Sequence, residues 1–83
     1  MIKVTNFHGM SIDDIKIRIR KSADVREHER WICISSSMNG YSVPEISNLL
    51  FRNEKTIREW INNFNLEGPK GIERDHPPGL KKN

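Results

Sequence analysis

Apolar residues recur three and four positions apart along most of the chain, which is the spacing that places side chains on one face of an α-helix. The stripes, the second of which includes a serine, are Ile12, Ile15 and Ile19; Trp31, Ile34, Ser35 and Met38; Ile46, Leu49 and Leu50; and Ile57, Trp60, Ile61 and Phe64. This pattern predicts an all-α fold. We expect an N-terminal segment at residues 1–10, a helical domain at residues 11–68 and an extended Pro/Gly/Lys-rich tail or linker at residues 69–83.

The stretch after Gly9 fits two kinds of secondary structure. Ser11 and Asp14 have the spacing of a capping box, which favours a helix over residues 11–21. Residues 15–20 alternate strictly between isoleucine and a basic residue, which is also the pattern of a half-buried strand. We favour the helix because its start is well marked and no turn-linked partner strand is evident.

Helix starts and stops divide the rest of the chain. Asp24 is placed to cap a helix over residues 25–38, which Asn39 and Gly40 would end. Ser42, with Pro44 and Glu45 after it, predicts a short helix that begins with a capping box. Residues 51–53 form a tight connection whose last residue, Asn53, caps a longer helix that ends at Gly68–Pro69.

A short capped helix, a three-residue turn and a longer amphipathic helix are the layout of a helix-turn-helix, here at residues 42–65. With the apolar stripe of the second helix facing inward, Lys55, Glu59 and Asn62 point directly away from it. Amide and charged side chains of this kind pair with base edges in the DNA major groove. The predicted DNA-binding residues are Arg26, Arg30, Arg52, Asn53, Lys55, Thr56, Arg58, Glu59, Asn62 and Asn63.

Composition excludes several classes of protein but does not by itself identify the function. The chain has 83 residues, a net charge of +3 and a single cysteine, so we expect one small domain in a reducing compartment, without a deep active-site cleft. Basic residues outnumber acidic ones between residues 16 and 30, which makes Arg26, Arg30 and the bases of 16–21 the expected phosphate contacts. No apolar run is long enough to span a membrane and no signal peptide is evident, so we expect a cytoplasmic, nucleoid-associated protein.

Other chemistry is poorly supported by the sequence. Three histidines and Cys33 are present, but none has the paired spacing of a metal site, so we expect neither a metal nor another cofactor. Trp31 and Trp60 could stack on bases, yet both lie on apolar stripes and are expected in the core. The basic stretch of residues 16–30 lacks the aromatic and leucine content of a membrane-surface helix.

Residues 22–79 resemble a known family. The shared residues begin with Ser22, Asp24, Arg26 and Arg30, continue through Gly40, Ser42, Glu45 and Ile46, and then through Thr56, Ile57, Arg58, Trp60, Phe64, Asn65 and Gly68, to end with Gly71, Ile72, Pro78 and Gly79. This track resembles the N-terminal DNA-binding domain of mariner-superfamily transposases, in their bacterial and archaeal insertion-sequence branch. The resemblance implies a homeodomain-like or paired-like three-helix core, with an extra N-terminal helix here, that recognises the terminal inverted repeats of a mobile element in transposition and DNA recombination.

The chain departs from that family in four places. Phe51 stands where the family has glycine, so we expect a rebuilt turn in which Phe51 supplies a core contact. Ser35, Ser36 and Ser37 replace aliphatic residues, which predicts modest stability or a covering partner. Leu80-Lys81-Lys82 replaces an arginine followed by prolines. The family's catalytic domain is absent, so we expect no enzymatic activity.

Two functions remain in view. One is a sequence-specific double-stranded DNA-binding module, as part of a transposase or as a stand-alone regulator. The other is a protein-interaction module that uses the apolar or serine-rich face of the same fold to bind a partner, including a second copy. No small-molecule substrate is expected in either case.

Overall fold

The computed structural model describes residues 2–22 and 24–73, and all regular secondary structure within them is helical. The helices are α1 (Ile12–Lys21), α2 (Val25–Met38), α3 (Val43–Leu50), α4 (Glu54–Glu67) and α5 (Pro69–Glu73). The all-α prediction is therefore confirmed. Helix α2 lies at the centre and packs against each of the other four, whereas α4 packs against α2, α3 and α5.

The predicted caps form at the starts of the first four helices. Ser11 and Asp14 make a complete capping box at α1. Asp24 accepts a hydrogen bond from the Arg26 backbone N–H at 3.2 Å at the start of α2. Because each cap satisfies N–H groups that have no partner within the helix, these short polar side chains fix where the helices begin.

Helix α1 excludes the strand alternative for residues 15–20. Ile15 is fully buried, Ile19 packs at the edge of the core, and Ile17 remains 44% exposed. This distribution follows a period of 3.6 residues rather than two.

All five helices contribute to the core, and most of its residues lie on α2 and α4. Its buried residues are Val4, Ile15, Trp31, Cys33, Ile34, Val43, Ile46, Ile57, Ile61, Phe64 and Ile72. The rings of Trp31 and Phe64 meet edge-to-face at 6.0 Å between centroids, an arrangement that aromatic pairs prefer. Burial raises the pKa of the Cys33 thiol to about 12, so this cysteine is a core residue and not a reactive one.

Residues 2–8 form an N-terminal strap across the ends of α2 and α4. The Asn65 side chain accepts hydrogen bonds from the backbone N–H groups of Thr5 and Asn6, at 2.9 and 3.2 Å, and donates one to the Lys3 carbonyl at 3.0 Å. The buried Ser37 hydroxyl accepts a hydrogen bond from the Val4 backbone N–H at 2.9 Å. The serine-rich end of α2 is therefore covered by the chain's own N-terminal segment.

The expected extended tail begins instead with a helix. Residues 69–73 form α5, and Ile72 is fully buried against the core. A Cβ atom added to Gly71 would lie 2.5 Å from the Asn63 carbonyl oxygen, so glycine allows α5 to approach α4 closely. The burial of Ile72 outweighs the local Pro/Gly composition on which the tail prediction rested. Residues 74–83, including Pro78–Gly79 and the two terminal lysines, lie outside the described residues.

Candidate nucleic-acid interface

Helices α3 and α4 form the predicted helix-turn-helix. Ser42 and Glu45 complete a capping box at the start of α3, in which the Ser42 N–H donates to Glu45 Oε1 at 2.8 Å. Ile46 anchors α3 in the core. Leu49, which was expected on the buried stripe, is 51% exposed, whereas its neighbour Leu50 is partly buried against the core.

The turn between the two helices corrects one prediction. Phe51 adopts a left-handed conformation with φ 57° and is 93% exposed, so it supplies no core contact. Ser47 holds this turn, since its carbonyl accepts from the N–H groups of Phe51 and Arg52 and its hydroxyl donates to the Arg52 carbonyl. A left-handed conformation costs a non-glycine residue about 1–2 kcal/mol, and the hydrogen bonds to Ser47 hold Phe51 in it.

Helix α4 has two chemically different faces. Ile57, Ile61 and Phe64 are fully buried. Trp60 is only partly buried at the edge of the core, so its expected core position is confirmed in part. Lys55, Arg58, Glu59, Asn62 and Asn63 are exposed, and Thr56 is half-buried. The described structure therefore brings these predicted site residues together on one outward face.

Asn53 and Arg58 both interact with the first turn of α4. Asn53 Oδ1 accepts a hydrogen bond from the Thr56 backbone N–H at 2.8 Å, so this amide serves as the helix cap. Arg58 lies 3.6 Å from Glu54, both half exposed. A surface pair of this kind contributes little to stability. Arg58 can therefore leave Glu54 and pair with another anion at little cost.

Arg52 connects the turn to α2. Its guanidinium donates two hydrogen bonds to Glu29 Oε1, at 3.1 and 2.7 Å. This pair neutralises Arg52 beside the start of α4 and leaves Lys55 and Arg58 as the basic groups of the outward face of α4.

The two arginines expected at phosphates lie in different environments. Arg26 is exposed on the first turn of α2. Arg30, one turn later, is only 8% exposed, and its Nε donates to the Ile72 carbonyl at 2.9 Å. Burial lowers the pKa of the Arg30 guanidinium below its ordinary value. Because Arg30 is buried and bonded to α5, Arg26 is the better placed of the two for the expected phosphate contact.

Sequence reasoning missed the residues that hold the C-terminal end of α4. Asn65 binds the N-terminal strap, and the ring of His8 packs edge-to-face on Phe64 at 5.2 Å between centroids. Asn65 and its strap partners are about 60 positions apart in the sequence. No local pattern could have found them.

Other surfaces offer no competing chemistry among residues 2–22 and 24–73. A cleft of about 360 Å³ is lined by Ile17, Arg18, Lys21, Glu27 and Glu73. Two of these charges already pair with each other, Arg18 with Glu73. No group of three histidine, cysteine or acidic side chains in this part of the chain could hold a metal ion.

A family model described as "Putative ATPase subunit of terminase (gpP-like)" matches residues 38–79, just over half of the chain. The chain belongs to this family. The terminase match runs from the last residue of α2 through α3, the turn, α4 and α5, and so contains the whole helix-turn-helix. Searches of curated proteins and of solved structures gave no match.

The terminase family overturns the resemblance to transposases. The expected roles in transposition, DNA recombination and mobile-element end recognition are wrong with it. The residues that carried the resemblance form a short capped helix, a turn and an aromatic-striped helix, which are features of helix-turn-helix packing in general. Within the described residues, no helix is long and apolar enough to cross a membrane.

Proposed function

We propose that this domain binds double-stranded DNA sequence-specifically, as the DNA-recognition part of a terminase-type packaging protein. The observation that carries the proposal is the two-faced α4. Its inner face is locked into the core by Ile57, Ile61 and Phe64, and its outer face presents exposed polar groups at the end of a helix-turn-helix. The terminase family supports a partner of this kind because its proteins act in DNA packaging.

Helix α4 serves as the recognition helix. Lys55 and Asn62 are seven positions apart, or roughly 10 Å along the helix axis, which corresponds to about three base pairs. Lys55 and Arg58 suit guanine, Asn62 suits adenine, and Glu59 accepts from cytosine or rejects other bases. Thr56 and Asn63 lie on the flanks, where they reach sugar and phosphate.

Phosphate attraction comes from the surface of α1 and α2. Lys16, Arg20, Lys21 and Arg26 are exposed, whereas Arg18 is paired with Glu73 and lies over the Trp31 ring. Arg52 adds less because Glu29 already neutralises it. The domain acts by binding, and its 83 residues contain no GxxxxGK[S/T] phosphate-binding motif of an ATPase.

The test begins with selection of duplexes from a random-sequence pool by the wild-type domain. Affinity of the selected duplex is then measured by fluorescence anisotropy for wild type, Lys55→Ala and Arg58→Ala. Each variant should bind about 5- to 150-fold more weakly, the range expected for loss of a direct base contact. The matched control is Lys3→Ala, which removes the same charge from the N-terminal strap at the opposite end of α4.

Two outcomes contradict the proposal. One is that no duplex is enriched over the starting pool. The other is unchanged affinity in both α4 variants, with helical circular dichroism intact.

A second candidate, self-association, is favoured by an exposed leucine of the helix-turn-helix. Leu49 is 51% exposed, so it is available to a protein interface. Sedimentation of wild type and Leu49→Asn over a range of concentrations tests this. A dimer that the substitution dissociates supports it, and a monomer at all concentrations rejects it.

A further inference from the structure

Phe51 is the most exposed large apolar side chain of the described residues, at 93%. It occupies the turn of the helix-turn-helix in a left-handed conformation with φ 57°. Glycine or asparagine would adopt this conformation more readily than a bulky aromatic residue. The position therefore combines an unfavourable backbone conformation with an aromatic ring that contributes nothing to the core.

Hydrogen bonds hold the backbone of the turn that carries Phe51 in place. Three hydrogen bonds join the backbone of Phe51 and Arg52 to Ser47. The Arg52 side chain is also hydrogen-bonded to Glu29 on α2. Strained residues persist where their surroundings over-determine them, and such places are often binding sites. Phe51 is thus an apolar side chain carried on a fixed stretch of backbone at the molecular surface.

The location of Phe51 points to its contact. It is two residues before the Asn53 cap of α4, and two residues of extended chain span at most about 7 Å. The ring is therefore near the end of the recognition helix whose residues meet base edges in helix-turn-helix proteins. Lys55, the first outward-facing residue of α4, lies on the same end.

We propose that Phe51 contacts thymine methyl groups in the major groove beside the start of α4. This inference rests on the proposed function. The C5-methyl of thymine is the apolar group that the major groove displays, and it suits a phenyl ring, which has no hydrogen-bonding atom. Phe51 then contributes to sequence preference together with the polar face of α4.

The experiment compares two proteins on two duplexes. The duplex selected by the wild-type domain is synthesised with thymine and again with deoxyuridine in its place, which removes only the methyl groups. Wild type should lose about fourfold in affinity for each contacted methyl, the value of one buried methyl-sized group. Phe51→Asn should bind the thymine duplex as weakly as wild type binds the uracil duplex, and should show no difference between the two.

Two controls distinguish the loss of this contact from a loss of stability and from nonspecific binding through exposed apolar side chains. Asparagine and glycine both tolerate positive φ, so Phe51→Asn and Phe51→Gly should melt at or above the wild-type temperature. Leu66→Asn removes another highly exposed apolar side chain, roughly 16 Å farther along α4 than Lys55, and should bind both duplexes as wild type does.

The outcomes are distinguishable from failure of the proposed function. If wild type enriches no duplex, DNA binding itself is wrong. If wild type binds tightly but treats thymine and uracil duplexes alike, or if the Phe51 variants lose affinity equally on both, the methyl contact is wrong while DNA binding stands. Equal losses in Leu66→Asn would also overturn it, because the place of Phe51 would then not matter.

Discussion

Arg26 and Arg30 lie one helical turn apart on α2, and the structure predicts that substitutions at the two positions act on different properties. Arg30 is 8% exposed and donates to the Ile72 carbonyl, which joins α2 to α5. Arg26 is exposed. Arg30→Met keeps most of the aliphatic stem but removes the guanidinium, so the Ile72 carbonyl loses a charge-assisted hydrogen bond inside the protein.

The size of the effect follows from that bond. Loss of a hydrogen bond to a charged group costs about 1.5–3 kcal/mol. For a domain of this size, about 2 kcal/mol lowers Tm by roughly 8–16 °C. Arg26→Gln should leave Tm nearly unchanged and instead lower the salt dependence of duplex binding by about 0.9 log unit per log unit of salt, the value for one phosphate contact.

Thermal denaturation and anisotropy titrations at several salt concentrations measure both properties on the same samples. Arg30→Met should keep the wild-type salt slope at temperatures where it is folded. The reasoning is refuted if Arg30→Met melts like wild type but binds DNA with a reduced slope, since its guanidinium would then reach phosphate rather than α5.

Two further predictions concern the core and a helix cap. Trp31→Ala should cost about 3–5 kcal/mol because the indole is fully buried, and Trp60→Ala should cost less because that ring is partly exposed; urea denaturation of both variants that ranks them in the opposite order would contradict this. Hydrogen bonds from Ser42 lower the pKa of the exposed Glu45 carboxyl, so its contribution to stability is present above the unfolded-state pKa and is lost as the pH falls through the folded-state pKa. Glu45→Gln should therefore have a smaller drop in Tm between about pH 6 and about pH 3 than wild type, and identical drops would show that the cap is not pH-linked.

The bounds of α1 to α4 could be predicted because their determinants are local. Ser11, Asp24, Ser42 and Asn53 each cap the helix that follows within three residues. The buried stripe of α4 repeats at helical spacing and needs no long-range information. The outward face of α4 follows from the same geometry.

The features that sequence reasoning missed depend on contacts between distant parts of the chain. Arg30 has the pattern of a surface base until Ile72, 42 positions later, covers it. Asn65 has no local role that identifies it as the anchor of the N-terminal strap. Phe51 was expected to turn inward because bulky residues avoid positive φ, and the hydrogen bonds to Ser47 outweigh that preference.

The family assignment failed for a related reason. Capped helices and an aromatic stripe describe how a helix-turn-helix packs. The identities of the outward residues decide its target, and packing does not set them. The match over residues 38–79 identifies the terminase family, which the packing pattern could not do.

The central claim is that α4 enters the DNA groove, and chemical-shift mapping tests it most directly. The ¹⁵N-labelled domain is titrated with the duplex that it selects, and the backbone amide shifts are followed residue by residue. The account predicts that the largest changes lie in residues 51–63 and at Arg26, and that the N-terminal strap and α5 change little. Large changes confined to α5 or the strap, with residues 51–63 unaffected, would contradict it.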